Sequence, residues 1–359
     1  MKIGVVRGDL SEREHLIRLV KERLGWEVIW SVGSGIEAGQ RCRIQKPDLM
    51  LMGIKLSGKM DGVEATRTIL KEHQCTIVIV SRMERQNTSI FKALSAGAID
   101  AIEMPSRNSE SISNFVSRMR KLKTVSQEHA LKNAEQGFSA PKKNVKNKVS
   151  QLSDDLPDLL IAIGCSTGGP GAVALLLAEL PEASRASVII IQHMDEEHAS
   201  GMAEWLDMQI PMRTRTIQGG ERPESGTVFL AKTNDHLTMD ASGRLIYTKD
   251  PIENPYRPSV DEFFCSIAQH WRKKLVAVLL TGMGRDGGRG LLALRRLGCH
   301  TFAQDKASCA VYGMPQDAAQ RGAANEILAP GQIGGRLREI INISQGSGNF
   351  QGGKPGENE

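Results

Sequence analysis

Ile161-Ala-Ile-Gly-Cys-Ser-Thr-Gly-Gly-Pro-Gly171 is an apolar run that stops at a hydroxyl and passes through glycines and a proline into the apolar stretch 172–180. The pattern predicts strand, tight turn and helix, with Ser166 at the turn. A serine so placed is exposed at a strand end, close to the unpaired N–H groups of a helix start, and such groups can hold a developing oxyanion. A plainer reading uses the same residues: Ser166 or Thr167 caps the helix and the glycines make the turn. The segment by itself favours that plainer reading.

Outward from this turn, the chain of 359 residues, 40% of them hydrophobic, is long enough for two ordinary domains with real cores. Apolar segments of membrane-spanning length and a signal peptide's apolar region are both missing from the sequence, so a cytoplasmic protein without membrane insertion is expected. The six cysteines (Cys42, Cys75, Cys165, Cys265, Cys299 and Cys309) show no paired spacing. Reduced thiols are expected, with neither a disulfide framework nor a zinc site. The net charge of +5 is modest and sits partly in one segment, so no nucleic-acid partner is expected.

Residues 1–122 alternate apolar runs (3–6, 26–30, 49–52, 76–80, 98–102) with amphipathic stretches (12–24, 34–44, 62–72, 87–96, 111–122). Five strands alternating with five helices predict a parallel, doubly wound sheet. In 123–155 the periodicity fades and Lys142, Lys143, Lys146 and Lys148 stand among Asn, Ser and Gln, which predicts an exposed basic linker, helical at its start. Residues 156–343 resume the strand–helix rhythm, with strands at 159–164, 187–192, 227–231, 275–281 and 301–304. The Gly-rich tail 344–359 predicts disorder.

In doubly wound sheets, ligands bind beyond the carboxyl ends of the strands. Three chemically capable residues follow such ends: Ser166, then His193 after Val188-Ile-Ile-Ile-Gln192, then Asp286 in Thr281-Gly-Met-Gly-Arg-Asp-Gly-Gly288. A nucleophile, a general base and an orienting carboxylate make a triad, which is recognised by geometry rather than chain order. Each also has a bland role, His193 as a satisfied strand-end polar group and Asp286 as the cap of the next helix. Cys165 is discounted as nucleophile, because adjacent side chains of a strand point to different faces. His198 and His236 form no standard metal spacing with His193.

Five segments extend the pattern: Ile163-Gly-Cys-Ser-Thr-Gly-Gly169, Gln192-His-Met194, Arg257-Pro-Ser-Val-Asp261, Leu280-Thr-Gly-Met-Gly-Arg-Asp-Gly287 and Ala307-Ser-Cys-Ala-Val-Tyr-Gly-Met-Pro315. On these the second domain resembles the catalytic domain of the chemotaxis protein-glutamate methylesterases. The resemblance implies a doubly wound esterase domain with Ser166 as nucleophile, His193 as base and Asp286 as its partner. It also implies that Thr167, Gly168 and Met283 line the oxyanion site, and that no metal or organic cofactor is needed. The reaction implied is hydrolysis of glutamyl γ-methyl esters on chemoreceptors, with glutamine deamidation in many members. The partners implied are a methyl-accepting chemoreceptor as substrate and a chemosensory kinase or adaptor. The segment Met194-Asp-Glu-Glu-His198, Lys232-Thr233 and Lys306 depart from the family pattern.

The first domain resembles a response-regulator receiver, a flavodoxin-like fold, on Pro47-Asp-Leu-Met-Leu-Met-Gly-Ile54 and Met60-Asp-Gly-Val-Glu-Ala-Thr66. Where that family carries its phosphorylated aspartate, this chain has Gly53. Arg7 and Gly8 stand at the magnesium-binding acids, with only Asp9 close, and Met104 replaces the usual lysine; Ser81 matches. Phosphoryl transfer to a carboxylate needs the nucleophile, a held magnesium ion and a balancing cation. A pseudo-receiver follows, one that docks on its own esterase domain or on a partner. Two functions are carried forward: an esterase controlled without aspartyl phosphorylation, and a catalytically silent scaffold of a chemosensory pathway.

Overall fold

Strands that read as unbroken apolar runs are buried on both faces, as parallel sheets require. The computed structural model describes residues 1–73, 75–82, 88–132 and 156–346. In the first domain the elements are β1 (Lys2–Val6), α1 (Leu10–Leu24), β2 (Glu27–Val32), α2 (Gly35–Ile44), β3 (Leu49–Met52), α3 (Gly62–Glu72), β4 (Thr76–Ser81), α4 (Thr88–Ser95), β5 (Asp100–Glu103) and α5 (Ser109–Lys132). The sheet is parallel throughout, in the order β2-β1-β3-β4-β5, which is the flavodoxin-like winding. Its chain reverses between β1 and β3, so Arg7 and Gly53 stand at the switch point.

Helix starts here follow the side-chain capping rule. Asp9, Ser34 and Asp61 each accept the N–H three residues on, which satisfies an otherwise orphaned donor. Asp9, the acid nearest the expected magnesium ligands, is therefore committed to α1. Asp48 accepts the Lys2 N–H at 2.6 Å, at the opposite end of β3 from Gly53.

The second domain runs β6 (Leu159–Cys165), α6 (Gly169–Leu177), β7 (Ala186–Gln192), α7 (Glu196–Gln209), β8 (Arg213–Thr216), β9 (Thr227–Leu230), β10 (His236–Met239), β11 (Leu245–Thr248), α8 (Val260–His270), β12 (Lys274–Leu279), α9 (Gly288–Arg296), β13 (His300–Gln304), α10 (Met314–Gln320), β14 (Glu326–Leu328) and α11 (Pro330–Gly346). Seven strands form a parallel sheet ordered β14-β13-β12-β6-β7-β9-β8, with β10 and β11 as a separate antiparallel pair. Chain direction across this sheet reverses between β6 and β12, so the crevice opens above their carboxyl ends. Apolar layers cover both faces. One includes Val173, Leu176 and Trp205, the other Phe263, Phe264 and Leu291.

Several elements depart from the expected set. Helix α5 continues to Lys132, through the expected helical start of the linker, and α11 reaches Gly346. The lysine cluster 142–148 and most of the expected tail lie outside the described residues. Strands β8 and β14 and the β10–β11 hairpin were not expected. Arg213-Thr-Arg-Thr216 and Glu326-Ile-Leu328 are edge strands in which every side chain but the buried Thr214 is exposed or partly exposed, so they lack the apolar run that marks the centre of the sheet.

Candidate active site

Ser166 sits one residue past β6, where the chain turns into α6. The helix is capped by Gly168 in the left-handed region (φ 79°) with no side-chain hydrogen bond. A Cβ at Gly168 would collide with Ala310. Neither Ser166 nor Thr167 caps α6 with its side chain, although Gly168 does make the turn. The backbone around Ser166 is tied down instead. Its N–H donates to Thr281 O at 3.0 Å and its carbonyl accepts from Gln192 Nε2 at 2.9 Å. Gln192 also donates to His193 O at 3.0 Å. Thr281 Oγ1 donates to Thr167 O at 3.0 Å.

His193 follows β7 directly. Its Nε2 meets Asp286 Oδ2 at 2.7 Å, with side-chain exposures of 12% and 3%. Asp286 does not cap α9, whose N-cap is Gly287. It faces the start of α8: Ser259 Oγ (2.8 Å) and the Asp261 N–H (3.0 Å) donate to Oδ1, and the Val260 N–H (2.7 Å) donates to Oδ2. Burial alone would raise this carboxyl. The hydrogen bond and charge of His193 outweigh it, together with the helix-start N–H groups, and hold Asp286 below the usual carboxylate range. With Nε2 committed to the carboxylate, Nδ1 is the nitrogen left for a hydroxyl, the reverse of the arrangement in chymotrypsin-like enzymes.

Cys165 is fully buried, its thiol donates to Gln192 Oε1 at 3.0 Å, and burial pushes its pKa up, so it is no nucleophile. His236 is buried between Pro251 O and the Ser259 N–H, each at 3.2 Å. Among the described residues, no cluster of three or more His, Cys, Asp or Glu is arranged to hold a metal ion.

Ser259, Val260 and Tyr256 belong to the site, and reasoning from spacing gave them no role. Ser259-Val-Asp-Glu262 is a legible helix-start pattern, and Ser259 does accept the Glu262 N–H. That the helix start faces Asp286 is a tertiary fact with no local signal. Tyr256 stacks on His193 with ring centroids 4.9 Å apart and planes within 15°.

The first domain packs over this site. Phe91 of α4 is 2% exposed and stacks on Trp205 of α7, centroids 5.8 Å apart. Arg118 of α5 reaches Asp100 and, across the interface, Asp195, each at 3.4 Å. Val311 joins the first domain's apolar cluster, with Met283 and Ala310 packed beside it. The cavity left beside Ser166 and His193 is about 30 Å³, walled by Ile90, Phe91 and Leu94 on the other side. That is room for little more than water.

At the first domain's own switch point, Arg7 is buried (7% exposed). It donates to Val80 O at 2.6 Å and pairs with Glu12 through Nε at 2.5 Å. A Cβ on Gly53 would lie 2.9 Å from Arg7 Cδ and 3.0 Å from Nη1. The guanidinium thus stands where an aspartate at this position would extend. Met104, at the lysine position, is buried in the apolar cluster.

Residues 161–337 match the CheB methylesterase family and residues 5–115 the response regulator receiver domain. A protein-glutamate methylesterase/protein-glutamine glutaminase of Cupriavidus metallidurans is 43% identical over 347 residues, covering 94% of this chain and 97% of that one. A relative of the same name from Pseudomonas aeruginosa is 40% identical over 346 residues, covering 95% of this chain and all of that one (100%). The Thermotoga maritima CheB methylesterase catalytic domain superposes with a TM-score of 0.49 at 31% identity, covering 51% of this chain and 98% of that chain. At 43% identity across nearly its whole length, this chain belongs to the CheB methylesterase family, with a receiver domain preceding the esterase domain.

Proposed function

We propose that this chain is a serine hydrolase that removes γ-methyl esters from glutamyl side chains of a chemoreceptor, and deamidates glutamines there, with Ser166 as nucleophile. The observation that carries the reading is the His193–Asp286 pair, at 2.7 Å, beside a serine whose flanking backbone is fixed on both strands. Ser166 Oγ attacks the side-chain carbonyl carbon and His193 takes its proton at Nδ1. The imidazolium then returns that proton to the departing methanol, or to ammonia for a glutamine. Water hydrolyses the acyl-serine by the same route. Asp286 holds the ring and balances the imidazolium charge.

The Ser166 N–H is spent on Thr281 O, so the oxyanion is left to N–H groups of Thr167, Gly168 and the Met283 loop. Each such donor is worth roughly 3 kcal/mol in the barrier.

Control of this esterase does not use aspartyl phosphorylation. Gly53 offers no nucleophile and Arg7 fills its surroundings with a fixed cation. The domain acts by its seat over Ser166, and a chemosensory kinase or adaptor that binds it would open the cleft. Among the described residues, no helix is long and apolar enough to cross a membrane.

Methanol release from a methylated chemoreceptor tests the reading. Wild type releases methanol and Ser166→Ala loses the activity. Equal rates for the two, active or inactive, overturn it, and the second outcome leaves the silent scaffold.

A further inference from the structure

His193 must keep one ring orientation while its charge changes from zero to one. Asp286 fixes only one edge of the ring. The face is covered by Tyr256, nearly parallel at 4.9 Å. Tyr256 is itself held at three points. Its N–H donates to Asn254 Oδ1 at 3.0 Å. Its phenol oxygen lies against Gly284, where any Cβ would collide with it. And the strap that carries it is pinned at both ends by the buried His236.

His236 donates from Nε2 to Pro251 O at 3.2 Å and accepts at Nδ1 from the Ser259 N–H at 3.2 Å. That pattern needs the neutral ring with its proton on Nε2. One clamp therefore sets both halves of the support for His193. On one side the strap delivers the Tyr256 ring. On the other, Ser259, Val260 and Asp261 deliver the donors that hold Asp286.

We infer that Tyr256 is the positioning residue of His193, with its aromatic face holding the imidazole with Nδ1 toward Ser166 and stabilising the imidazolium as it forms. The inference rests on the triad reading above. The ring carries the role and the phenol hydroxyl does not, because the face is what meets His193. An imidazolium over a tyrosine face is a cation–π pair, and it strengthens only after proton transfer. An interaction made in that state and not before lowers kcat when lost and leaves KM alone.

The test is methanol release by the full-length protein, with the rate of Ser166 labelling by a small fluorophosphonate as a second readout that needs no receptor docking. Tyr256→Leu keeps an apolar cover and loses the π face. The expected result is a fall in kcat and in labelling of about tenfold, with KM within about twofold, as for loss of one desolvated cation–π contact. Tyr256→Phe rescues both to within about threefold, a result that loss of fold cannot mimic. Asn254→Ala keeps the ring and loosens its anchor, and it lowers kcat in the same direction by a smaller factor. Wild-type kcat and labelling in Tyr256→Leu, or a Phe variant as impaired as the Leu variant, overturns the inference. Methanol release that survives Ser166→Ala overturns the triad reading instead, so the two failures are distinguishable.

Discussion

Asp286 and Asp261 are neighbours in space with opposite electrostatic fates. Asp286 is buried yet stays ionised, since its oxygens face His193, Ser259 Oγ and two helix-start N–H groups. Asp286→Asn keeps the shape and removes the charge and the ring's preferred tautomer, so kcat should fall by about 10⁴ in the methanol assay. A loss of less than about tenfold would deny Asp286 its role. Asp261 is raised to about 6, by burial first and by the Asp286 charge, against the relief of the Gly290 N–H.

A raised carboxyl makes the folded state take up a proton between about pH 4, where the unfolded group titrates, and about pH 6. Stability therefore falls as pH rises through that window, and the penalty is complete above it. Asp261→Asn removes the charge while its Oδ1 can still accept from Gly290. Calorimetric melting should show the variant more stable than wild type by roughly 1 to 3 kcal/mol at about pH 8 and level with it near pH 4. A difference independent of pH would contradict the assignment.

At the scale of elements, strand ends were readable and their partners were not. The runs ending at Cys165, Gln192 and Leu279 are predominantly apolar because their central residues are buried on both faces, and that patterning placed Ser166, His193 and Asp286 beyond them. The edge strand Arg213–Thr216 carries no such signal. Nor does the strap 251–259, whose importance lies in what it is folded against. Gly53 and Arg7 were equally visible in sequence. That Arg7 lies against Gly53, paired to Glu12 and Val80 O, was not.

Simple restoration of the aspartate should therefore fail. In Gly53→Asp the new Cβ comes within 3.0 Å of Arg7 Nη1, and the carboxylate pairs with the guanidinium. Neither wild type nor Gly53→Asp should take a stable phosphoryl label from acetyl phosphate and magnesium. Labelling of Gly53→Asp would show that Arg7 does not fill the pocket.

At the scale of the whole molecule, the two sheets are joined through the catalytic face of one of them. Phe91 is as buried as a core residue, though it belongs to the first domain and its stacking partner Trp205 to the second. Large-to-small changes at such sites cost about 3 to 5 kcal/mol, enough to shift a docked interface toward its open form. Phe91→Ala should raise methanol release several-fold while Ser166 remains essential; an unchanged rate would place control elsewhere.

The resemblance to a receiver, with Gly53 at the aspartate position, implied a domain that docks on its own esterase domain or on a partner. It could not give the face, because α4, β5 and α5 meet the second domain through side chains far apart in the chain. The most direct measurement is the rate of methanol release from a methylated chemoreceptor by the full chain and by residues 156–359, each with and without Ser166→Ala. A faster rate for the shorter protein is expected, with both activities lost in Ser166→Ala. Equal rates for the two lengths, or turnover that survives Ser166→Ala, would contradict that expectation.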